Sequence, residues 1–133
     1  MKFISTNGRE YKINIRPSKW KRRSKEECKS HIQWNVGQIL DELYPSDIIL
    51  EEFCMPGDNL YIDFFIPRIK LAVEVHGQQH FQYSSFFHST KQKFNESVAR
   101  DNRKREWCKI NGVDLKVIRF DDSDEEIRNK LEN

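Results

Sequence analysis

Short stretches in which apolar residues alternate with polar ones, or follow one another unbroken, predict β-strands in four places. The strands are predicted over residues 48–54, 60–66, 70–75 and 115–120. Two further short runs, 3–6 and 10–15, flank Asn7-Gly8, the dipeptide that best tolerates a type I′ hairpin turn. The pattern therefore predicts an N-terminal hairpin followed by a four-stranded sheet.

Apolar residues at helical spacing predict three helices, over residues 24–43, 91–110 and 123–131. Ser24 with Glu27, and Ser123 with Glu126, have the spacing of a capping box, which marks a helix start. Gly112 follows the second helix, where a glycine favours a helix end. Helices thus precede the first three strands, connect the third strand to the fourth, and close the chain.

The predicted order is hairpin, α, β, β, β, α, β, α, which indicates an α/β fold with a mixed sheet flanked by helices. The second helix is expected to bring the fourth strand parallel to a neighbouring strand. No internal repeat or linker divides the chain. We therefore expect a single domain with a hairpin and basic arm (1–23), a core (24–120) and an acidic C-terminal helix (121–133).

Composition and charge narrow the class of protein. The 133 residues are 37% hydrophobic and 33% charged, and three scattered cysteines do not make a disulfide framework. No apolar run is long enough to cross a membrane, and no signal peptide is evident, so we expect a reduced, cytoplasmic protein. Net charge alternates as +7, −7, +6 and −4 over residues 1–40, 41–66, 67–120 and 121–133. Such alternation fits a phosphate-binding surface beside a metal site, or ordinary solvated faces.

Two carboxylates interrupt apolar strands. Asp63 lies in the run LYIDFF and Glu74 in the run LAVEV, where an uncompensated charge is costly. A divalent cation shared by both residues would compensate them, and oxygen ligands suit Mg²⁺ or Mn²⁺. The alternative is a structural ion pair with an arginine or lysine.

Two histidines follow closely. His76 lies two residues after Glu74 and so points to the same face of the strand. Gly77 permits a sharp turn that would return His80 over the strand end. Imidazoles beside carboxylates suit acid–base chemistry near neutral pH. Asp101, on the inner face of the second helix, is a candidate to hold the imidazole of His80.

Other polar residues are candidates for supporting roles. Gln33 faces inward on the first helix, where it is either a satisfied buried polar group or a residue that holds a metal-bound water. Basic residues form two clusters that would contact nucleic-acid phosphates or else remain solvated. These residues are Lys19, Lys21, Arg22 and Arg23 in the N-terminal arm, and Arg100, Arg103 and Lys104 in the second helix.

The run from Asp63 to Phe120 resembles the PD-(D/E)xK endonuclease superfamily, in particular its very-short-patch-repair-like branch, which includes phage homing endonucleases with a Glu–Asp–x–His–Asp signature. Asp63 and Glu74-Val75-His76 are similar to the Asp…Glu-x-Lys core of the superfamily, with histidine in the lysine position. The predicted core order is also that of its restriction-endonuclease-like fold. In this alignment Gln33 stands where the signature has glutamate.

The resemblance implies a metal-dependent DNA endonuclease of phage or mobile-element type, acting in a bacterial or infected cell. It implies that Asp63, Glu74 and the carbonyl of Val75 bind Mg²⁺, that His80, oriented by Asp101, deprotonates water, and that His76 assists. Cleavage of both strands would take a homodimer or two successive nicks. An inactive nucleic-acid-binding module and an RNA-directed nuclease are the alternatives.

Overall fold

Six strands and three helices are found in residues 1–77 and 91–132, which the computed structural model describes. In chain order they are β1 (Lys2–Ile4), β2 (Glu10–Lys12), α1 (His31–Leu43), β3 (Leu50–Cys54), β4 (Tyr61–Ile66), β5 (Leu71–His76), α2 (Lys91–Ile110), β6 (Asp114–Arg119) and α3 (Asp124–Leu131). The bounds of α2 agree with the prediction, and each end of strands β3 to β6 lies within two residues of its predicted place.

The larger sheet has the strand order β3-β4-β5-β6. Strands β3, β4 and β5 form an antiparallel meander, and β6 pairs with β5 in parallel. The connection from β5 to β6 contains α2, so the predicted crossover to a parallel strand is confirmed. The chain is a mixed α/β protein whose four-stranded sheet is flanked by helices and joined by an N-terminal hairpin.

Apolar side chains form a separate cluster on each face of this sheet. One cluster joins α1 and α3 to the sheet through residues such as Leu40, Phe64 and Ile127. The other joins α2 and the hairpin to the opposite face, where Phe3 stacks on Trp107 with ring centroids 5.3 Å apart. Full burial of one such side chain contributes roughly 1.5–3 kcal/mol, so these two clusters hold the layers together.

The turn of the N-terminal hairpin differs from the predicted type I′ turn. Of its two predicted central residues, only Gly8 has a positive φ, of 88°. The Gly8 N–H donates to the carbonyl of Ser5, and the Ser5 N–H donates to the carbonyl of Arg9, both at 2.9 Å. The hairpin is therefore closed by a three-residue loop with its glycine in the left-handed region, a common longer alternative to the two-residue turn.

The first helix begins seven residues later than predicted. Ser24 and Glu27 do form the predicted contact, in which the Ser24 N–H donates to Glu27 Oε1 at 2.9 Å. That turn is not propagated, and the helix begins instead at His31, because the side chain of Ser30 accepts from the Gln33 N–H and caps the first turn. The predicted capping box of the third helix, at Ser123 and Glu126, is confirmed.

Two further expectations concern helix length and the cysteines. In the part of the chain that the structure describes, no helix combines the length and apolar character required to cross a bilayer. Cys28, Cys54 and Cys108 are all free thiols. Burial raises the pKa of the Cys108 thiol to about 12, so this buried side chain stays protonated and behaves as a small apolar group.

Candidate functional site

Asp63 and Glu74 occupy facing positions on β4 and β5, at the point where the two strands separate. The paired residues of this ladder end at Phe64 and Val73, one position earlier. Beyond that pair, carboxylate side chains accept the backbone hydrogen bonds between the two strands. Glu74 Oε1 accepts a hydrogen bond from the Asp63 N–H at 3.0 Å, and Asp63 Oδ2 accepts one from the Val75 N–H at 2.7 Å. Each carboxylate thus uses one oxygen on the backbone and leaves the other for a cation.

Both carboxylates are removed from solvent, with only 8% of Asp63 and 4% of Glu74 exposed. Burial, reinforced by the charge of Asp63, raises the pKa of Glu74 from 4.5 to about 8. Burial also raises the pKa of Asp63, although the hydrogen bond from the Val75 N–H opposes this change. The site therefore favours a proton or a cation between the two groups.

Two lysines supply positive charge to this pair. Lys104, on α2, places Nζ 3.0 Å from Glu74 Oε2. Lys29, which precedes α1, places Nζ 3.7 Å from Asp63 Oδ1. The structural ion pairs that were the alternative to a metal site are thus present, on the same oxygens that the backbone leaves available. Lys104 points into the site, and its expected phosphate contact remains a prediction.

Of the two histidines predicted at the site, the structure describes His76. His76 ends β5 on the same face as Glu74, is 5% exposed, and has Nε2 3.8 Å from Glu74 Oε2. His80 lies outside the described residues, so its expected approach to the site and its bond to Asp101 remain predictions. Asp101 is half-buried on α2.

Gln33 is a buried polar residue whose side-chain amide is hydrogen-bonded, which is the first of the two interpretations of this residue. Its side-chain Nε2 donates to Glu51 Oε2 at 2.9 Å and to Glu52 Oε1 at 3.4 Å. Glu51 also accepts from the Arg23 N–H at 2.8 Å and from Arg22 Nε at 3.3 Å. These bonds fix the start of α1 against β3.

Glu52 is a third acid at this site, one that the sequence analysis missed. It has a φ of 54° in the middle of β3 and leaves a gap in the ladder opposite Asp63. Lys29 Nζ lies 2.8 Å from Glu52 Oε1 and so bridges Glu52 to Asp63. The available signal was the pair Glu51-Glu52 between the apolar residues Leu50 and Phe53, which breaks the strand pattern.

The basic residues expected to contact phosphates differ in exposure and in whether they pair with acids. Arg22 is turned inward, paired with Asp41 and Glu51 and lying 5.4 Å over the ring of Phe64. Lys19 and Lys21 are exposed on the arm, whereas Arg23 is half-buried. On α2, Arg100 and Arg103 are exposed, and an Arg103 NH2 group donates to the Asp58 carbonyl. A phosphate role for these residues remains a prediction.

The donor chemistry of the acid pair fits a small hard cation. Lys29 approaches Asp63 Oδ1 and Lys104 approaches Glu74 Oε2, so each acid already favours positive charge at its free oxygen. Residues 1–77 and 91–132 contain no group of three or more His, Cys, Asp or Glu side chains placed to hold a metal ion. Two carboxylate ligands are few for an all-protein site but usual for Mg²⁺, which keeps several waters.

Comparisons with known proteins give relatives without an assigned activity. No protein-family model matches the chain. It is 46% identical over 59 residues to uncharacterized protein 033L of Invertebrate iridescent virus 3, a match that covers 44% of this chain and 30% of the viral protein. It is 42% identical over 57 residues to uncharacterized protein 307L of Invertebrate iridescent virus 6, covering 43% and 29%. The chain thus spans less than a third of these relatives, and no solved structure matches it.

Proposed function

We propose that this chain is a metal-dependent endonuclease that hydrolyses phosphodiester bonds in DNA, with a restriction-endonuclease-like core. The observation that carries the proposal is the pair of buried carboxylates at the separation of β4 and β5. One oxygen of each acid accepts a hydrogen bond from a backbone N–H, and the other oxygen faces a lysine ammonium. The resemblance to the PD-(D/E)xK superfamily assigns a metal to the same two residues, Asp63 and Glu74.

Asp63 and Glu74 would hold Mg²⁺ or Mn²⁺, together with the Val75 carbonyl that the resemblance implies. Such an ion, when bound, stabilises charge on the scissile phosphate and lowers the pKa of water. Burial and the charge of Asp63 raise the pKa of Glu74, the Lys104 ammonium at 3.0 Å opposes this rise in part, and a bound cation would favour the charged carboxylate further. His76, on the same strand face, and His80, oriented by Asp101, would take the proton from the attacking water.

The test is cleavage of plasmid DNA by purified protein with Mg²⁺ or Mn²⁺. Asp63→Asn and Glu74→Gln keep side-chain shape but remove the ligand charge. Each should lower the cleavage rate by more than about 100-fold, the upper range for loss of a group that only supports a ligand. Asp114→Asn changes an exposed acid on β6 and serves as the matched control. Absence of cleavage by the wild type with either metal, or equal cleavage by Asp63→Asn, would overturn the proposal.

The second candidate is a nucleic-acid-binding module that has this fold but no hydrolytic activity. The ion pairs of Lys29 and Lys104 favour it, because they compensate both acids without a metal. In that case DNA binding would persist in Asp63→Asn and Glu74→Gln, and the wild type would not cleave. A comparison of RNA with duplex DNA as substrates would separate the RNA-directed alternative.

The biological setting follows as part of the same proposal. Both matching relatives are proteins of invertebrate iridescent viruses. We take the site of action to be the interior of an infected cell. A second copy of the chain would supply the second active site for a double-strand break, and sizing of the protein bound to duplex DNA would reveal it.

A further inference from the structure

Two adjoining clefts lie along the arm between the hairpin and the acid pair. The first, of about 420 Å³, lies between the hairpin residue Tyr11 and the arm residue Arg16. The second, of about 530 Å³, continues past Lys21 to Glu52 and Tyr61. Lys19, Trp20 and Cys54 line both clefts, so the two form one groove. Each half is within the size range of pockets that bind small ligands.

The charge of this groove is effectively positive. Among the described residues, no carboxylate lies within ion-pair distance of Arg16, Lys19 or Lys21, and all three are exposed. The acids of the groove are already compensated: Glu51 binds Arg22, and Glu52 binds Lys29 at 2.8 Å. The groove thus offers cations to a ligand while its carboxylates are occupied.

Aromatic surface is the second feature of the groove. Tyr61 is 53% exposed, the largest exposure among the exposed large apolar and aromatic side chains of the described residues. It lies two residues before Asp63 on β4, at the end of the groove nearest the acid pair. At the middle of the groove, Lys19 Nζ lies 4.9 Å over the ring of Trp20, a buried side chain, so that Tyr61 is the aromatic residue exposed to a ligand in the groove.

We propose that this groove binds one unpaired strand of nucleic acid and leads it to the acid pair. Cations that follow a backbone and aromatic faces that stack bases are the shared features of single-strand sites. Stacking on Tyr61 requires a free base face, which neighbouring base pairs cover in a duplex. Arg16, Lys19 and Lys21 would contact successive phosphates. Only the delivery of the strand to Asp63 and Glu74 rests on the proposed function; the binding itself does not.

Binding is measured by fluorescence anisotropy in EDTA, so that cleavage does not contribute. The probes are a fluorescein-labelled oligothymidylate of about 12 nucleotides, within the site size of known single-strand binders, and a duplex of the same length. Wild type should bind the single strand more tightly. Tyr61→Ala should weaken single-strand binding by about tenfold, and Tyr61→Phe, which keeps the stacking face, by less than about twofold. Phe120→Ala, another exposed aromatic that does not line the groove, is the matched control.

Tighter binding of the duplex, or unchanged single-strand binding by Tyr61→Ala, would overturn the inference. The outcome is separable from that of the nuclease proposal. Preferential single-strand binding without metal-dependent cleavage would retain the groove and remove the nuclease. Plasmid cleavage by wild type and Tyr61→Ala alike, together with unchanged anisotropy of that variant, would retain the nuclease and remove the groove.

Discussion

Glu74 shows how a charged residue is kept inside an apolar strand. One carboxylate oxygen replaces a carbonyl as acceptor for the Asp63 N–H, and the other meets the Lys104 ammonium. A buried carboxylate with such partners is retained at a cost, since well-packed apolar residues would often be as stable or more so. Under the proposed function, this cost is understood because the two acids are held ready for a cation.

The raised pKa of Glu74 predicts an unusual dependence of stability on pH. The folded-state pKa of about 8 exceeds the ordinary 4.5, so the folded chain holds more protons between these values. Without metal, the free energy of unfolding should fall as pH rises through this window, by at most about 1.4 kcal/mol per pH unit. Urea unfolding in EDTA measures this slope. Glu74→Gln, which has no proton to lose, should flatten it, whereas Asp114→Asn should keep it; an equal slope in Glu74→Gln contradicts the assignment.

Charge reversal at Arg22 should affect stability, whereas charge reversal at the neighbouring Lys21 should affect DNA binding. Arg22→Glu breaks the pair with buried Glu51 and should lower the free energy of unfolding by about 3 kcal/mol. Lys21→Glu changes an exposed residue and should alter stability by less than about 0.5 kcal/mol. The same Lys21 variant should weaken DNA binding and reduce its salt slope by about one. Unfolding curves and salt titrations of both variants check this, and a stable Arg22→Glu would show that the inward pair is unimportant.

Some site residues could be predicted from sequence and others could not. Asp63 and Glu74 are conspicuous because each is an acid within an apolar run, and their predicted adjacency on neighbouring strands is confirmed. For Glu52 the sequence gives only a weak signal, the two adjacent acids within an apolar strand, because its role depends on a left-handed backbone conformation that no local pattern encodes. The pairs that Lys29 and Lys104 make with the acids could not be predicted either, because long side chains reach partners that are distant in sequence.

At the scale of the element, β3 is the strand that contains backbone strain, since Asn59 and Lys70, the other described non-glycine residues with positive φ, lie outside the strands. A non-glycine residue in the left-handed region costs roughly 1–2 kcal/mol, and Glu52 adopts it within a strand. The ion pair with Lys29 and the hydrogen bond from Gln33 hold the residue there. The ladder with β4 is therefore interrupted only at Glu52 and resumes in the same register at Phe53 and Ile62.

This strain predicts a reversal of the usual preference between alanine and glycine. Glu52→Ala and Glu52→Gly both lose the pair with Lys29, but only glycine relieves the positive φ. Glu52→Gly should therefore be more stable than Glu52→Ala by about 1 kcal/mol. At Lys116, an ordinary position in β6, alanine should be the more stable of the two. Thermal unfolding of the four variants decides the matter, and a more stable Glu52→Ala would refute the strain.

The elements themselves were largely predictable because their signals are local. Helix α2 ends where Gly112 takes a φ of 64°, and α3 begins at its capping box. The start of α1 was misplaced because two capping signals compete, at Ser24 and at Ser30. The helix begins after Ser30 because the Gln33 N–H donates to the Ser30 hydroxyl while the Gln33 side chain donates to Glu51. That choice depends on a tertiary contact, which the sequence pattern does not contain.

For the whole molecule, binding of a divalent cation should be linked to stability. Under the proposed function, Mg²⁺ binds the folded acid pair and not the unfolded chain. At about 100 times its dissociation constant it would add about 2.7 kcal/mol to the free energy of unfolding. Melting curves over a Mg²⁺ series at pH 8 should rise for wild type and Asp114→Asn and stay flat for Glu74→Gln. The same rise in all three proteins would show that Mg²⁺ acts elsewhere.

The sheet order leaves β3 as one edge of the molecule, and its geometry bears on self-association. The Glu51 N–H is already bonded to the Trp20 carbonyl at 3.2 Å, and Glu52 turns the chain out of the straight path. An incoming strand from another molecule would meet one occupied edge donor and an irregular backbone at the next residue, which makes β3 a poorer template for pairing. The irregular backbone at Glu52, which serves the ion pair with Lys29, would thus also disfavour edge-to-edge association when the protein is concentrated.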